Sequence, residues 1–276
     1  MPLTGIRILD LTRIISGPYC TSILADMGAE VIKIEAPGEG DPIRRQGVIR
    51  DGLSWYFANY NRNKRSVTLD LYSAEGKDIL RQLIPHCDVV IENYRPGIMD
   101  KMGFGDEALK ALRPDIIHCS INGFGASGPY RDRPAFDFIA QAMSGFMSLN
   151  GGEDDPPMRA GPPISDLAAG LNGALGVVAA LLRRERTGRG DSISVSLLSS
   201  MIGLLSFQAS NYFASGELPP RTGNDHGIVA PYGLFETADG QVAIAPSNDA
   251  MYEKLLDALE LPELRALGVD ILRLYP

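Results

Sequence analysis

Apolar and polar positions follow two rhythms through the first half of the chain. Short apolar runs read as strands: GIRILDL from Gly5, EVIKIE from Glu30, SVTLDL from Ser66, DVVIENY from Asp88 and IIHCSINGF from Ile116. Between them, apolar residues recur at helical spacing over 18–27, 73–83 and 106–112, and Ser73 opens the second of these as a cap. Parallel strands need helical crossovers, so this order predicts an α/β, Rossmann-like doubly wound large domain. A helix over 136–147 then precedes the turn-rich LNGGEDDPPMRAGPP, and 164–186 reads as a long, mostly apolar helix with Gly188 as its C-cap. SGELPPRTGNDHG reads as a linker before LFETADGQVAIA, a hairpin around Asp239-Gly240, and a helix over 248–260. The expected organisation is a large domain over 1–205, a linker over 206–224, and the start of a second, smaller α+β domain over 225–276.

Composition narrows the class. With 276 residues and 45% hydrophobic content the chain can fill a sizeable core. A net charge of −8 excludes general binding to nucleic acid, which needs an excess of cations. The charge is uneven, however: residues 41–65 hold Arg44, Arg45, Arg50, Arg62, Lys64 and Arg65 against Asp41 and Asp51. An anionic small molecule is a candidate for that window. The longest uncharged stretch, 192–216, carries eight serines, so it is expected in a soluble core and no membrane is expected as a partner. The start, MPLTGIRILDL, lacks the pattern of a signal peptide, and Cys20, Cys87 and Cys119 are too scattered for a disulfide framework. These readings favour a cytoplasmic location. His86, His118 and His226 share no ligand spacing, and no metal is expected.

Three positions carry candidate chemistry. Asp166, in GPPISDLAAG, is either a nucleophilic carboxylate or a cap for the long helix that follows. Gly123, Gly125 and Gly128, in NGFGASGPY, follow the fifth strand, where backbone can approach a ligand or simply turn. Arg13 lies between the first strand and a helix N-terminus, a place that favours anions. A nicotinamide-dependent dehydrogenase is excluded on motif, because TRIISGP stands where GxGxxG would be needed.

The chain also resembles the class III CoA-transferases, the carnitine dehydratase and bile-acid-inducible protein F group. The resemblance rests on ILDLTRIISGPYCTSILADMGAEVIKIEAPGEGD, NRNKRSVTLDL, DVVIENYRPGIMDKMGF, SINGFGASGPY, FDFIAQAMSG, GPPISDLAAG and RRERTGRGDSISVSLL, in that order. It implies CoA transfer between an acyl-CoA and a small carboxylic acid, with coenzyme A as substrate and no tightly bound cofactor. It implies that Asp166 forms the covalent intermediate, with a pKa low enough to keep it ionised. Asp137 either orients that nucleophile or caps a helix. Arg13, Arg65, Asn93, Tyr94, Lys101, Gly123 and Gly125 are the implied CoA contacts, and an interlocked homodimer is the implied assembly.

Two departures bear on substrate and integrity. The formyl-CoA transferase branch has glutamine where Ile15 stands and glutamate where Asp137 stands, which disfavours oxalate and formyl-CoA. The related α-methylacyl-CoA racemases have histidine where this chain has Phe136, so racemisation lacks its base. Family members also continue well past 248–260, and a truncated, inactive remnant or binding subunit is the alternative expectation.

Overall fold

The computed structural model describes residues 1–267. The chain runs through β1 (Arg7–Asp10), α1 (Ser16–Asp26), β2 (Glu30–Glu35), the hairpin β3 (Ile49–Arg50) and β4 (Leu53–Ser54), α2 (Trp55–Asn61) and β5 (Lys64–Thr68). It continues with α3 (Ala74–Leu83), β6 (Val89–Glu92), α4 (Ile98–Met102), α5 (Asp106–Leu112), β7 (Ile117–Asn122), α6 (Asp137–Met143) and α7 (Phe146–Leu149). The remaining elements are α8 (Ile164–Thr187), β8 (Asp191–Ser196), α9 (Leu197–Leu204), α10 (Phe207–Ser215), β9 (Gly233–Glu236), β10 (Gln241–Ile244) and α11 (Asp249–Ala258).

Six strands pair in the order β5-β2-β1-β6-β7-β8, and every pairing is parallel. This is the doubly wound order, and its reversal point lies between β1 and β6. The central strands are buried on both faces, which is why their sequences are apolar runs. Leu9, Ile34 and Val90 share one core cluster with Leu80, Phe104 and Leu109. α1 and α8 pack closely against each other. At that crossing a Cβ on Gly170 would meet the Ser16 carbonyl oxygen at 2.7 Å, so only glycine permits the approach.

Two compact units emerge among the described residues: 1–144 with 161–205, and 145–160 with the chain from 206 on. The second contains the antiparallel pair β9–β10 and helices α7, α10 and α11.

Several expectations need correction. β8 is a sixth strand, hidden by its alternating serines, whose partners Ile193 and Val195 are half-buried. The helix expected over 136–147 breaks at Gly145, whose φ of 87° ends one helix and starts α7. Residues 206–224, read as a linker, include the nine-residue helix α10, and 145–160 group with the second unit. The stretch 192–216 is not core throughout, since α10 has no buried residue. The tail over 268–276, expected within the second domain, lies outside the described residues.

The basic window also differs from its reading as an anion site. Lys64 is buried and bonds Asp10 at 3.1 Å, Arg44 pairs with Glu35 at 2.7 Å, and Arg62 pairs with Asp26. Arg65 pairs with Glu30 at 3.1 Å. These cations neutralise the protein's own carboxylates, and burial with the nearby Lys33 lowers the Lys64 ammonium to about 8.

Candidate active site at the sheet's reversal point

The loops after β1, β6 and β7 converge on the first turn of α8 around a cavity of about 210 Å³. Arg13, Asn93, Tyr94, Gly123 and Asp166 all line it. Clefts beyond the carboxyl ends of strands at a reversal point are where open α/β sheets place ligands.

The β1–α1 loop is fixed residue by residue by side chains from other elements. The Thr12 amide donates to Asp10 Oδ1 at 2.9 Å, and the Arg13 amide to Asn93 Oδ1 at 2.9 Å. Asn93 Nδ2 returns a bond to the Arg13 carbonyl at 2.7 Å, which ties the ends of β1 and β6 together. The Arg13 guanidinium lies 5.8 Å from the Tyr94 ring centre, and burial raises the Tyr94 phenol to about 12. Asn93 is therefore a structural tie as well as a wall of the cavity.

Asp166 occupies the first turn of α8, whose N-cap is Pro163. Asp166 is therefore not the cap, and that alternative falls. The capping is done by Asp137, the first residue of α6. Its Oδ1 accepts from the Ser165 amide at 2.9 Å and from Ser165 Oγ at 2.8 Å, and its Oδ2 accepts from Gln141 at 2.7 Å. The capping reading of Asp137 is the one the contacts show, since it caps α8 from α6 through Ser165, the residue before Asp166.

The expected low pKa of Asp166 is overturned. Burial first, and the Asp137 carboxylate second, raise Asp166 to about 7, with a Ser16 hydrogen bond pulling the other way. Amides of the first helical turn do not outweigh the removal of water. Tyr56 and Tyr60 lie close enough that the Asp166 charge helps raise both phenols, after burial.

Gly125 has a φ of 91° and its amide donates to Asn122 Oδ1 at 2.6 Å, so it serves the turn. Gly123 lets the returning chain close in, since a Cβ there would meet that of Ala135 at 2.4 Å. Gly125, Arg65 and Lys101 do not line the cavity. Sequence reading missed Ser16, Arg95, Arg131 and Arg133, which do. The last two lay in GPYRDRPAF directly after the glycine loop, a legible signal. Ser16 becomes significant only once α1 and α8 cross.

A half-buried carboxylate at the reversal point shares its cavity with Arg13, Arg95, Arg131 and Arg133, an α/β site with a charge that suits anionic ligands. Comparison with known proteins makes the class specific: residues 3–269 match CoA-transferase family III, and the chain belongs to that family. It is 44% identical over 264 residues to the mouse succinyl-CoA:glutarate CoA-transferase, covering 95% of this chain and 61% of that protein. It is 42% identical to the succinyl-CoA:mesaconate CoA-transferase of Haloarcula hispanica, covering 96% of this chain and 69% of the relative. A solved structure of a CAIB/BAIF family protein from Brucella suis matches with a TM-score of 0.87 and 41% identity, covering 99% of this chain and 74% of that one. The chain thus spans about three fifths of the length of the mouse and human relatives it matches.

Proposed function

We propose that the chain carries the CoA-transfer centre of its family, with Asp166 as the covalent nucleophile and a small carboxylic acid as acyl acceptor. The observation that carries this reading is the placement of Asp166 in one cavity with Arg13, Asn93 and Gly123. The names of the relatives, transferases of succinyl-CoA to glutarate and to mesaconate, support dicarboxylic acids as the substrates.

In the first step a carboxylate oxygen of Asp166 attacks the thioester carbonyl, the C–S bond breaks, and CoA leaves as thiolate with a mixed anhydride formed. The thiolate then attacks the Asp166 carbonyl carbon and expels the donor acid as carboxylate, leaving an aspartyl-CoA thioester. The acceptor carboxylate attacks that carbonyl and releases the thiolate, which finally attacks the acceptor's acyl carbon and frees Asp166. No proton or electron is consumed, and each intermediate stays as activated as the thioester it replaces.

Arg13 and Arg95, at the ends of β1 and β6, suit CoA's phosphates. Racemisation is disfavoured because no histidine is among the residues lining the cavity, and Phe136 stands there instead. A cytoplasmic location, favoured by the scattered cysteines, and the interlocked homodimer that the family resemblance implies complete the proposal.

Incubation with succinyl-CoA tests the covalent step. A CoA-sized adduct on the peptide containing Asp166, intercepted by hydroxylamine as a hydroxamate, is the expected result. Label on any other residue, or no adduct, would overturn the assignment.

A further inference from the structure

Ile14 lines the same cavity with a φ of 72°, in the left-handed region that a β-branched residue strongly disfavours. Such a conformation persists only where its surroundings impose it. Here the Ile14 amide donates to both carboxylate oxygens of Asp41, at 3.2 and 3.3 Å. Asp41 pairs with Lys33 at 3.0 Å, and both side chains are only 1% exposed. Lys33 Nζ also donates to the Thr12 carbonyl at 2.7 Å, so one ion pair grips the loop on either side of Arg13. Asp41 is itself anchored, its amide donating to Glu35 at 2.8 Å.

Two residues past Ile14, α1 begins at Ser16 with no side-chain cap. Ser16 and Asp166 line the same cavity, close enough for the Ser16 side chain to pull the Asp166 pKa down against burial. If the loop needed only a left-handed turn, glycine would supply it without cost. An isoleucine that packs against Ile15, Ile43, Phe57 and Tyr60 instead exchanges conformational cost for a fixed loop.

We infer that Lys33 and Asp41 are positioning residues: their buried ion pair imposes the left-handed conformation on Ile14 and thereby fixes the start of α1, with Ser16, against Asp166. The inference rests on the reading of Asp166 given under Proposed function for its catalytic meaning. Its physical content does not depend on turnover. The device acts through Ser16 and touches no substrate.

Ile14→Gly and Ile14→Ala in the 276-residue chain separate strain from packing, because both remove the branched side chain and only alanine keeps the left-handed penalty. Thermal unfolding should place Ile14→Gly above Ile14→Ala by roughly 3 °C, the reverse of their order at an ordinary position. A carboxyl-13C titration should leave the Asp166 midpoint near the parent value in Ile14→Gly and in Ile14→Ala, because the Lys33–Asp41 pair still holds the loop and Ser16 with it. Asp41→Asn should raise the same midpoint in the parent and add nothing in Ile14→Gly. An Ile14→Gly chain that melts at or below Ile14→Ala, or an Asp166 midpoint indifferent to Asp41→Asn in the parent, would overturn the inference. Absence of the succinyl-CoA adduct in the parent would instead sink only the reading of Asp166 as nucleophile.

Discussion

Asp137 holds Ser165 by two hydrogen bonds, at 2.9 Å to the amide and 2.8 Å to the hydroxyl, and so caps the helix whose next residue is Asp166. One carboxylate thus sets the position of another and raises its pKa. The two effects separate by substitution. Asp137→Ala removes cap and charge together and should cost about 1–2 kcal/mol in a denaturant titration. Asp137→Asn keeps an acceptor for Ser165, so it should cost less than half of that while moving the Asp166 midpoint downward. Burial, the larger cause, keeps that midpoint above the usual carboxylate range. Equal stability losses in the two variants would remove the capping role.

The protonation of Asp166 gives the fold a pH dependence of definite sign. The folded-state value of about 7 lies above that of an unfolded aspartate, so between pH 4 and 7 the folded chain holds a proton the unfolded chain has released. The stabilising difference is full at low pH and is lost as pH rises through 7. Asp166→Asn cannot ionise, so it should match the parent near pH 4 and exceed it at pH 8 by on the order of 2 kcal/mol, after allowance for solvent relaxation. Paired denaturant titrations at the two pH values measure this. The same value predicts that adduct formation in the parent, which needs the carboxylate, rises with pH and levels off above about 7.

The sheet was legible because central parallel strands must be apolar on both faces and helices must intervene. β8 escaped because an edge strand with one polar face reads DSISVS, a pattern that suits a loop as well. Asp166, Arg13, Asn93 and Gly123 were legible from motif and from strand ends. The basic window misled because a count of cations does not show which carboxylates they meet. Asp10, Asp26, Glu30 and Glu35 come from β1, α1 and β2, and only the sheet order brings them to β5 and its neighbours. The pKa of Asp166 was misjudged for a similar reason. Helix position is local, whereas burial and the Asp137 charge arise from tertiary packing.

That redistribution of charge makes CoA binding a sharp test of the site residues. Arg13 lines the cavity with no carboxylate partner among the described residues, whereas Arg65 lies outside it and is engaged by Glu30. Titration calorimetry should show Arg13→Ala weakening CoA about 10-fold, a loss of roughly 1.4 kcal/mol. Arg65→Ala should leave affinity within twofold. Binding to the parent should weaken with salt, and the slope should fall in Arg13→Ala alone. Equal losses for the two arginines would restore the basic window as a CoA surface.

Lys64 and Asp10 provide a test in the core beneath the β1 loop. Asp10 is fully buried and accepts bonds from Thr12, Thr21 and Lys64. Burial favours its neutral form, yet Lys64 and Lys33 keep its pKa below the usual range. Removal of the cation in Lys64→Met leaves that carboxylate buried with less compensation, which should cost about 3–5 kcal/mol. A loss under 1 kcal/mol in urea titration would show that Thr12, Thr21 and Lys33 suffice.

The closest test of how fold and site are joined lies at Gly170, about one turn along α8 from Asp166 and against the start of α1. An alanine Cβ there would come within 2.7 Å of the Ser16 carbonyl oxygen and 2.9 Å of the Tyr19 ring. The oxygen belongs to backbone, so the contact is relieved only by moving α1 or α8. Gly170 is helical and lies outside the left-handed region, so alanine would otherwise stabilise α8 by its better helix propensity. Overpacking should win, because propensity is worth at most about 1 kcal/mol and a forced helix displacement costs roughly 1–3 kcal/mol. Gly170→Ala should therefore lower the unfolding midpoint. Since the displaced element begins at Ser16, it should also slow adduct formation on Asp166 beyond what the folded fraction explains. Gly203, with no atom within 4 Å of its would-be Cβ, supplies the control, and Gly203→Ala in α9 should be neutral or stabilising. If Gly170→Ala proved as stable as the parent with adduct formation unchanged, the α1–α8 contact would not be what holds Ser16 against Asp166.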